Sequence, residues 1–127
     1  MDVRFVSAGG VELWDVSQLP TLLARTDGLV WVDVPVWDEQ AEQTLTTIFG
    51  FHPLAIRDSA NRNQVPKIHR YDDHLFLVLH APQPGAGGHV HYVELDQFIG
   101  VSSGLPNPGH PAAMRGIKVS MKCWIPP

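Results

Sequence analysis

Residues 52–81, HPLAIRDSANRNQVPKIHRYDDHLFLVLHA, change character along their length in a way that decides the fold class. Pro53 suits the first turn of a helix, where its missing N–H would be unpaired in any case, and this predicts a helix from Pro53 to about Ala60 with His52 at the cap. Asn61 to Pro66 is rich in turn formers and reads as a connector. Lys67 to Tyr71 and His74 to His80 then read as two strands across an Asp72-Asp73 turn, the second solidly apolar. Helix, connector and hairpin in direct succession point to layered α/β architecture.

The flanks agree with this. Val3 and Phe5, then Val11 and Leu13, predict two short strands around Gly9-Gly10. Ser17 to Arg25 reads as a short helix with Ser17 as N-cap and Gly28 closing it after Asp27. Leu29 to Val34 is β-branched and aromatic apart from Asp33, which predicts a central strand covered on both sides and ended by Pro35. Ala41, Leu45, Ile48 and Phe49 fall on one stripe of an amphipathic helix between Asp38, able to cap it, and Gly50, able to stop it. Beyond the flexible Gln83–Gly88 link, His89 to Ile99 predicts a long strand with Val93, Leu95 and Ile99 on one face. Val101 to Pro111 has neither helical nor strand period and reads as loop, whereas Ile117 to Ile125 is compatible with a short strand.

Composition narrows the function classes. A chain of 127 residues with 44% apolar content is enough for one core. Nine Lys and Arg against thirteen Asp and Glu, with no basic block, argue against a nucleic-acid surface. The single Cys123 forms no internal disulfide and the N-terminus lacks a signal-peptide pattern, which favours the cytoplasm. The longest apolar run, Leu75 to Leu79, is far short of the roughly 20 residues a membrane-spanning helix needs.

Several residue groups carry candidate chemistry. His89 and His91 are spaced to share one face of a strand, as some metal sites require, and solvent-facing histidines are the ordinary alternative. His69, Asp72, Asp73 and His74 can be drawn as an acid/base or metal cluster, or as a hairpin turn in which the aspartates bond local backbone. Cys123 has no nearby base in the sequence. No G-x-S-x-G, phosphate-loop, C-x-x-C or dinucleotide motif is present, which weighs against an enzyme. Arg57 and Asp58 lie at the end of the Pro53 helix beside a polar connector, so the Asp58 carboxylate is expected at the surface. One carboxylate alone holds Mg²⁺ poorly.

Trp31-Val-Asp-Val34, Ile48-Phe-Gly-Phe-His-Pro-Leu54, Asp58, Gln64-Val-Pro-Lys-Ile68, Tyr71-Asp-Asp73 and Leu75 to Leu79 resemble, in order and spacing, the cytoplasmic N-terminal domain of CorA-like magnesium transporters. The resemblance spans about residues 28–100 and extends to the superfamily that includes the ZntB zinc transporters. It implies a three-layer α/β/α sandwich around a mixed sheet, five copies of which form a funnel below a pore made by C-terminal transmembrane helices. The family's pore motif, Gly-Met-Asn, does not occur in this sequence. By the same resemblance Asp58 matches a regulatory carboxylate that holds Mg²⁺, or another divalent cation, against a stalk helix of a neighbouring subunit. With that stalk absent, binding is expected to be weak.

Two departures stand out. Val101-Ser-Ser-Gly-Leu-Pro106 replaces the family's next strand, which predicts an exposed sheet edge, and Arg57 stands where the family often has an acidic residue. The expected organisation is a CorA-like domain at 1–100 and an atypical, loop-rich tail at 101–127. The expected role is an ion-sensing, gating module at the cytoplasmic face of the membrane, neither an enzyme nor itself membrane-inserted, working with other copies of itself. The rival is a stand-alone metal-binding protein or metal-dependent hydrolase using His89 and His91 with His69, His74 or His80.

Overall fold

The computed structural model describes residues 1–100 and the backbone of strand residues 116–124. The N-terminal alternation forms β1 (Asp2–Ser7) and β2 (Gly10–Trp14), an antiparallel hairpin, and β1 pairs on its other side with β3 (Gly28–Val34), setting Phe5 opposite Val30 and Val3 opposite Val32. β4 (Lys67–Arg70), β5 (His74–Pro84) and β6 (Val90–Gly100) form a second three-stranded antiparallel unit. β7 (Gly116–Trp124) joins the two, parallel to β3 and antiparallel to β6, giving one mixed sheet in the order β2-β1-β3-β7-β6-β5-β4. The edge expected to open after Gly100 is therefore filled: residue 119 pairs with both Val32 and Phe98. The loop expected at 101–111 lies outside the described residues.

Three short helices supply a second layer. α1 (Leu19–Leu23) follows a single 3-10 turn at Val16–Gln18 whose cap is Asp15, not the expected Ser17: the Asp15 carboxylate accepts from the Ser17 backbone N–H at 2.9 Å and from its hydroxyl at 2.6 Å. Those two bonds hold the Asp15 carboxyl below its usual range. α2 (Glu39–Gln43) is capped as expected by Asp38, which accepts from the Ala41 N–H at 2.7 Å. It does not run straight to Gly50. The Thr44 and Thr47 hydroxyls donate to the carbonyls of Gln40 and Gln43, and the next turn, Thr44–Ile48, widens so that the Phe49 N–H reaches the Thr44 carbonyl five residues back. Gly50, at φ +66°, then turns the chain into α3 (Pro53–Ser59).

One core holds the layers together. Val3, Phe5, Val30, Val32, Val34, Phe76, Val78 and Phe98 bury one face of the sheet against Leu19, Leu22, Ala41, Leu45, Ala55 and Ile56 of the helices. Phe51, from the link into α3, stacks on Phe98 at 4.6 Å between centroids, and Phe76 packs on Phe98 at 4.9 Å. The strands alternate in burial, so the opposite face is only half-covered: Leu29, Trp31, Leu75, Leu77 and Leu95 are half-buried, while Leu13, Ile68 and Ile99 are exposed. β3 was expected to be covered on both sides; among the described residues a helical layer covers one.

Candidate functional site

The helix, connector and hairpin of residues 52–81 build one corner of the buried face. His52 caps α3 as expected, its ring Nδ1 accepting from the Leu54 N–H at 3.2 Å, with Pro53 in the first turn. Ala55, Ile56 and Ser59 turn inward. This rotation leaves Arg57 exposed and sets Asp58 at the boundary, its side chain 29% exposed. Lys67, at the start of β4, donates from Nζ to Asp58 Oδ2 at 2.8 Å. The carboxylate is thus reachable, and already partnered.

Asn63 ties the connector down beside this pair. Its side-chain amide donates to the Asp58 carbonyl at 2.9 Å and to Glu94 Oε1 at 2.9 Å, and its backbone N–H donates to Glu94 Oε2 at 2.9 Å. Its carbonyl accepts from His80 Nε2 at 2.9 Å, which fixes the proton on that nitrogen. Glu94 and Asp96 are two apart on β6 and both fully buried. Among the described residues neither Asp96 oxygen has a hydrogen-bond partner. Burial, reinforced by the neighbouring Glu94 and only partly offset by Lys67, pushes the Asp96 carboxyl up to about 8.

The sequence alone passed over Glu94 and Asp96. The available signal was parity: Val93, Leu95 and Ile99 take one face of β6, so Glu94 and Asp96 share the other with Phe98, whose ring is fully buried. Acidic residues in a strand read as solvent-facing by default, and that default hid them.

The histidines do not converge. His89 precedes β6 and is exposed, and His91 lies on the half-covered face, whereas His74 and His80 belong to the core face. The Asp72-Asp73 segment is the expected hairpin turn, with the Tyr71 N–H donating to the His74 carbonyl at 2.9 Å. His74 is buried there with both nitrogens engaged: Nε2 accepts from the His52 N–H at 3.3 Å and Nδ1 faces Asp73 Oδ1 at 2.5 Å. Its ring and that of His52 both stack on Tyr71, and the three line an open cleft of about 410 Å³. Among the described residues no three His, Cys, Asp or Glu side chains are gathered as metal ligands, so the histidine-based metal centre is not assembled. Cys123 is described in backbone only.

The order of motifs along this framework is matched by a family model described as CorA-like Mg²⁺ transporter protein, over residues 26–99. The chain belongs to the CorA-like Mg²⁺ transporter family. A relative, "Putative metal ion transporter YfjQ" of Bacillus subtilis (strain 168), is 41% identical over 51 residues, which cover 40% of this chain and 16% of the relative. The CorA-like match takes in β3 through most of β6, including Asp58, Lys67, Glu94 and Asp96. Among the described residues no helix is long and apolar enough to cross a membrane.

Proposed function

We propose that this chain is the regulatory, ion-sensing domain of a CorA-like divalent-cation transporter, working on the cytoplasmic side of the membrane and without catalytic activity. The observation that carries the reading is the family match across the whole segment that presents Asp58 at a boundary position. A stalk and pore from outside these 127 residues complete the transporter, and five copies assemble around the pore. A second helical layer over the half-covered sheet face then gives the three-layer α/β/α sandwich; the apolar side chains of that face favour such a cover.

In this reading Asp58 supplies one carboxylate and a neighbouring subunit's stalk supplies another. A divalent cation between them offsets their repulsion and favours the closed ring, and its loss loosens the ring. Lys67 holds Asp58 meanwhile. A partly exposed ion pair of this kind contributes less than about 1 kcal/mol, so a divalent ion can take its place. Mg²⁺ keeps most of its water and needs further ligands, so the isolated chain binds it weakly.

Calorimetric titration of Mg²⁺ into the assembled protein, stalk included, tests this. Saturable binding that Asp58→Ala abolishes is the expected result. Equal binding by wild type and Asp58→Ala overturns the assignment of Asp58.

A further inference from the structure

We propose that Glu94 and Asp96 form a proton-sharing carboxyl pair that clamps the 61–66 connector to β6, so that attachment of the connector is coupled to proton uptake. No ion at Asp58 is required for this pairing. It begins with an imbalance between the two acids. Glu94 is fully buried but well supplied with donors, since the backbone and side-chain N–H groups of Asn63 both reach its carboxylate. Asp96 is equally buried, and among the described residues neither of its oxygens has a donor. An ionised carboxylate in that position would be stripped of water, left without hydrogen bonds and set beside a second negative charge.

A proton removes all three penalties at once. Two carboxylates are both acceptors and cannot bond to each other; with a proton on Asp96 the pair becomes one donor and one acceptor, and Glu94 is the acceptor within reach. The charged and titratable groups around Asp96 fit this account. Glu94 on β6 and Asp58 on α3 both disfavour its ionisation. Lys67 on β4 favours it, but the Lys67 ammonium is committed to Asp58 at 2.8 Å. On β5, Val78 lies opposite Asp96, and His80 opposite Glu94 spends Nε2 on the Asn63 carbonyl. On β7 the register sets residues 121 and 123, a Met and a Cys, opposite Asp96 and Glu94. Among the described residues no three metal-ligating side chains are gathered around the pair.

The clamp follows from the sharing. Glu94 must stay in place to accept from Asn63, and it stays at low cost only while its neighbour is neutral. Ionising Asp96 sets two buried charges against each other, and the relief open to Glu94 is to swing out and drop Asn63.

The sign of the pH dependence is fixed. The folded-state value, about 8, lies above the ordinary value of 3.8 that applies in the unfolded chain. Between those limits the folded protein holds a proton that the unfolded chain has lost, so stability from this site falls as pH rises from about 4 to about 8 and is level above.

The experiment compares urea unfolding of the full chain, wild type against Asp96→Asn, across pH 4 to 9. Asparagine mimics the neutral acid, so the unfolding midpoints should differ least near pH 4 and diverge steadily up to about pH 8, Asp96→Asn being the more stable. Amide hydrogen exchange at Asn63, corrected for intrinsic rate, should quicken over the same range in wild type and hold constant in the variant. Midpoints that differ by a constant amount at all pH values overturn the proposal. As a readout that needs no variant, the Asp96 carboxyl ¹³C shift in wild type should titrate near pH 8; titration below pH 5 overturns it as well.

Discussion

At the scale of single residues, Gly28 and the β6 acids show where sequence patterns mislead. Gly28 reads as a helix stop, yet it opens β3, where a Cβ would lie 2.4 Å from the Val6 carbonyl oxygen and 2.7 Å from the Phe5 ring. The first of these neighbours is backbone of a paired strand and cannot step aside. Gly28→Ala should therefore lower the unfolding free energy by about 1–3 kcal/mol, the usual effect of overpacking, read from the urea midpoint at fixed pH. No substitution pattern in one sequence reveals such a contact, because it depends on how close two strands lie. The accessibility of Asp58 was legible from its neighbours, a polar connector beside the acid, and the structure sets its side chain at the boundary, 29% exposed. Glu94 and Asp96 were not, since what supports a buried carboxylate at Glu94 is the set of Asn63 donors, contributed by distant sequence.

At the scale of elements, caps and stops were legible where a side chain acts on its own backbone. Asp38, His52, Pro53 and Gly50 all do what local chemistry dictates. The bond from the Ala41 N–H to Asp38 satisfies one otherwise orphaned donor of α2, so Asp38→Ala should destabilise the protein by about 1 kcal/mol while Asp38→Asn recovers most of the loss, a comparison that thermal unfolding of the three proteins settles. The widened turn at Thr44–Ile48 was not legible. The apolar stripe Ala41, Leu45, Ile48, Phe49 fits an unbroken helix, and Ala41 and Leu45 are buried as it requires. What breaks the helix is the pair of threonine hydroxyls on the carbonyls of Gln40 and Gln43 and the need to deliver Phe51 onto Phe98. Likewise Asp15 outcompetes Ser17 as cap because its carboxylate takes both the backbone N–H and the hydroxyl of Ser17.

At the scale of the whole molecule, the sheet has a finished face and an unfinished one. The finished face carries the buried aromatic and aliphatic core of the described residues. The other presents Leu13 at 78% exposure on one edge strand and Ile68 at 67% on the opposite edge, with half-buried leucines on the strands between. The order of strands and helices foretold a layered α/β fold, but not which face the helices would take, because alternation marks two faces without ranking them. A broad apolar face of this kind favours contact with further protein, and without another layer over it the protein should self-associate. Sedimentation velocity should then show an average mass that rises with protein concentration, and Leu13→Glu with Ile68→Glu should hold it at the monomer value. Both side chains are mostly exposed, so the double variant should keep its unfolding midpoint to within about 0.5 kcal/mol per site, which separates lost association from lost folding. A wild type that stays monomeric at all concentrations would mean that the face is already covered within the chain, and the second layer proposed for the assembled transporter would then have to be sought among these 127 residues and not beyond them.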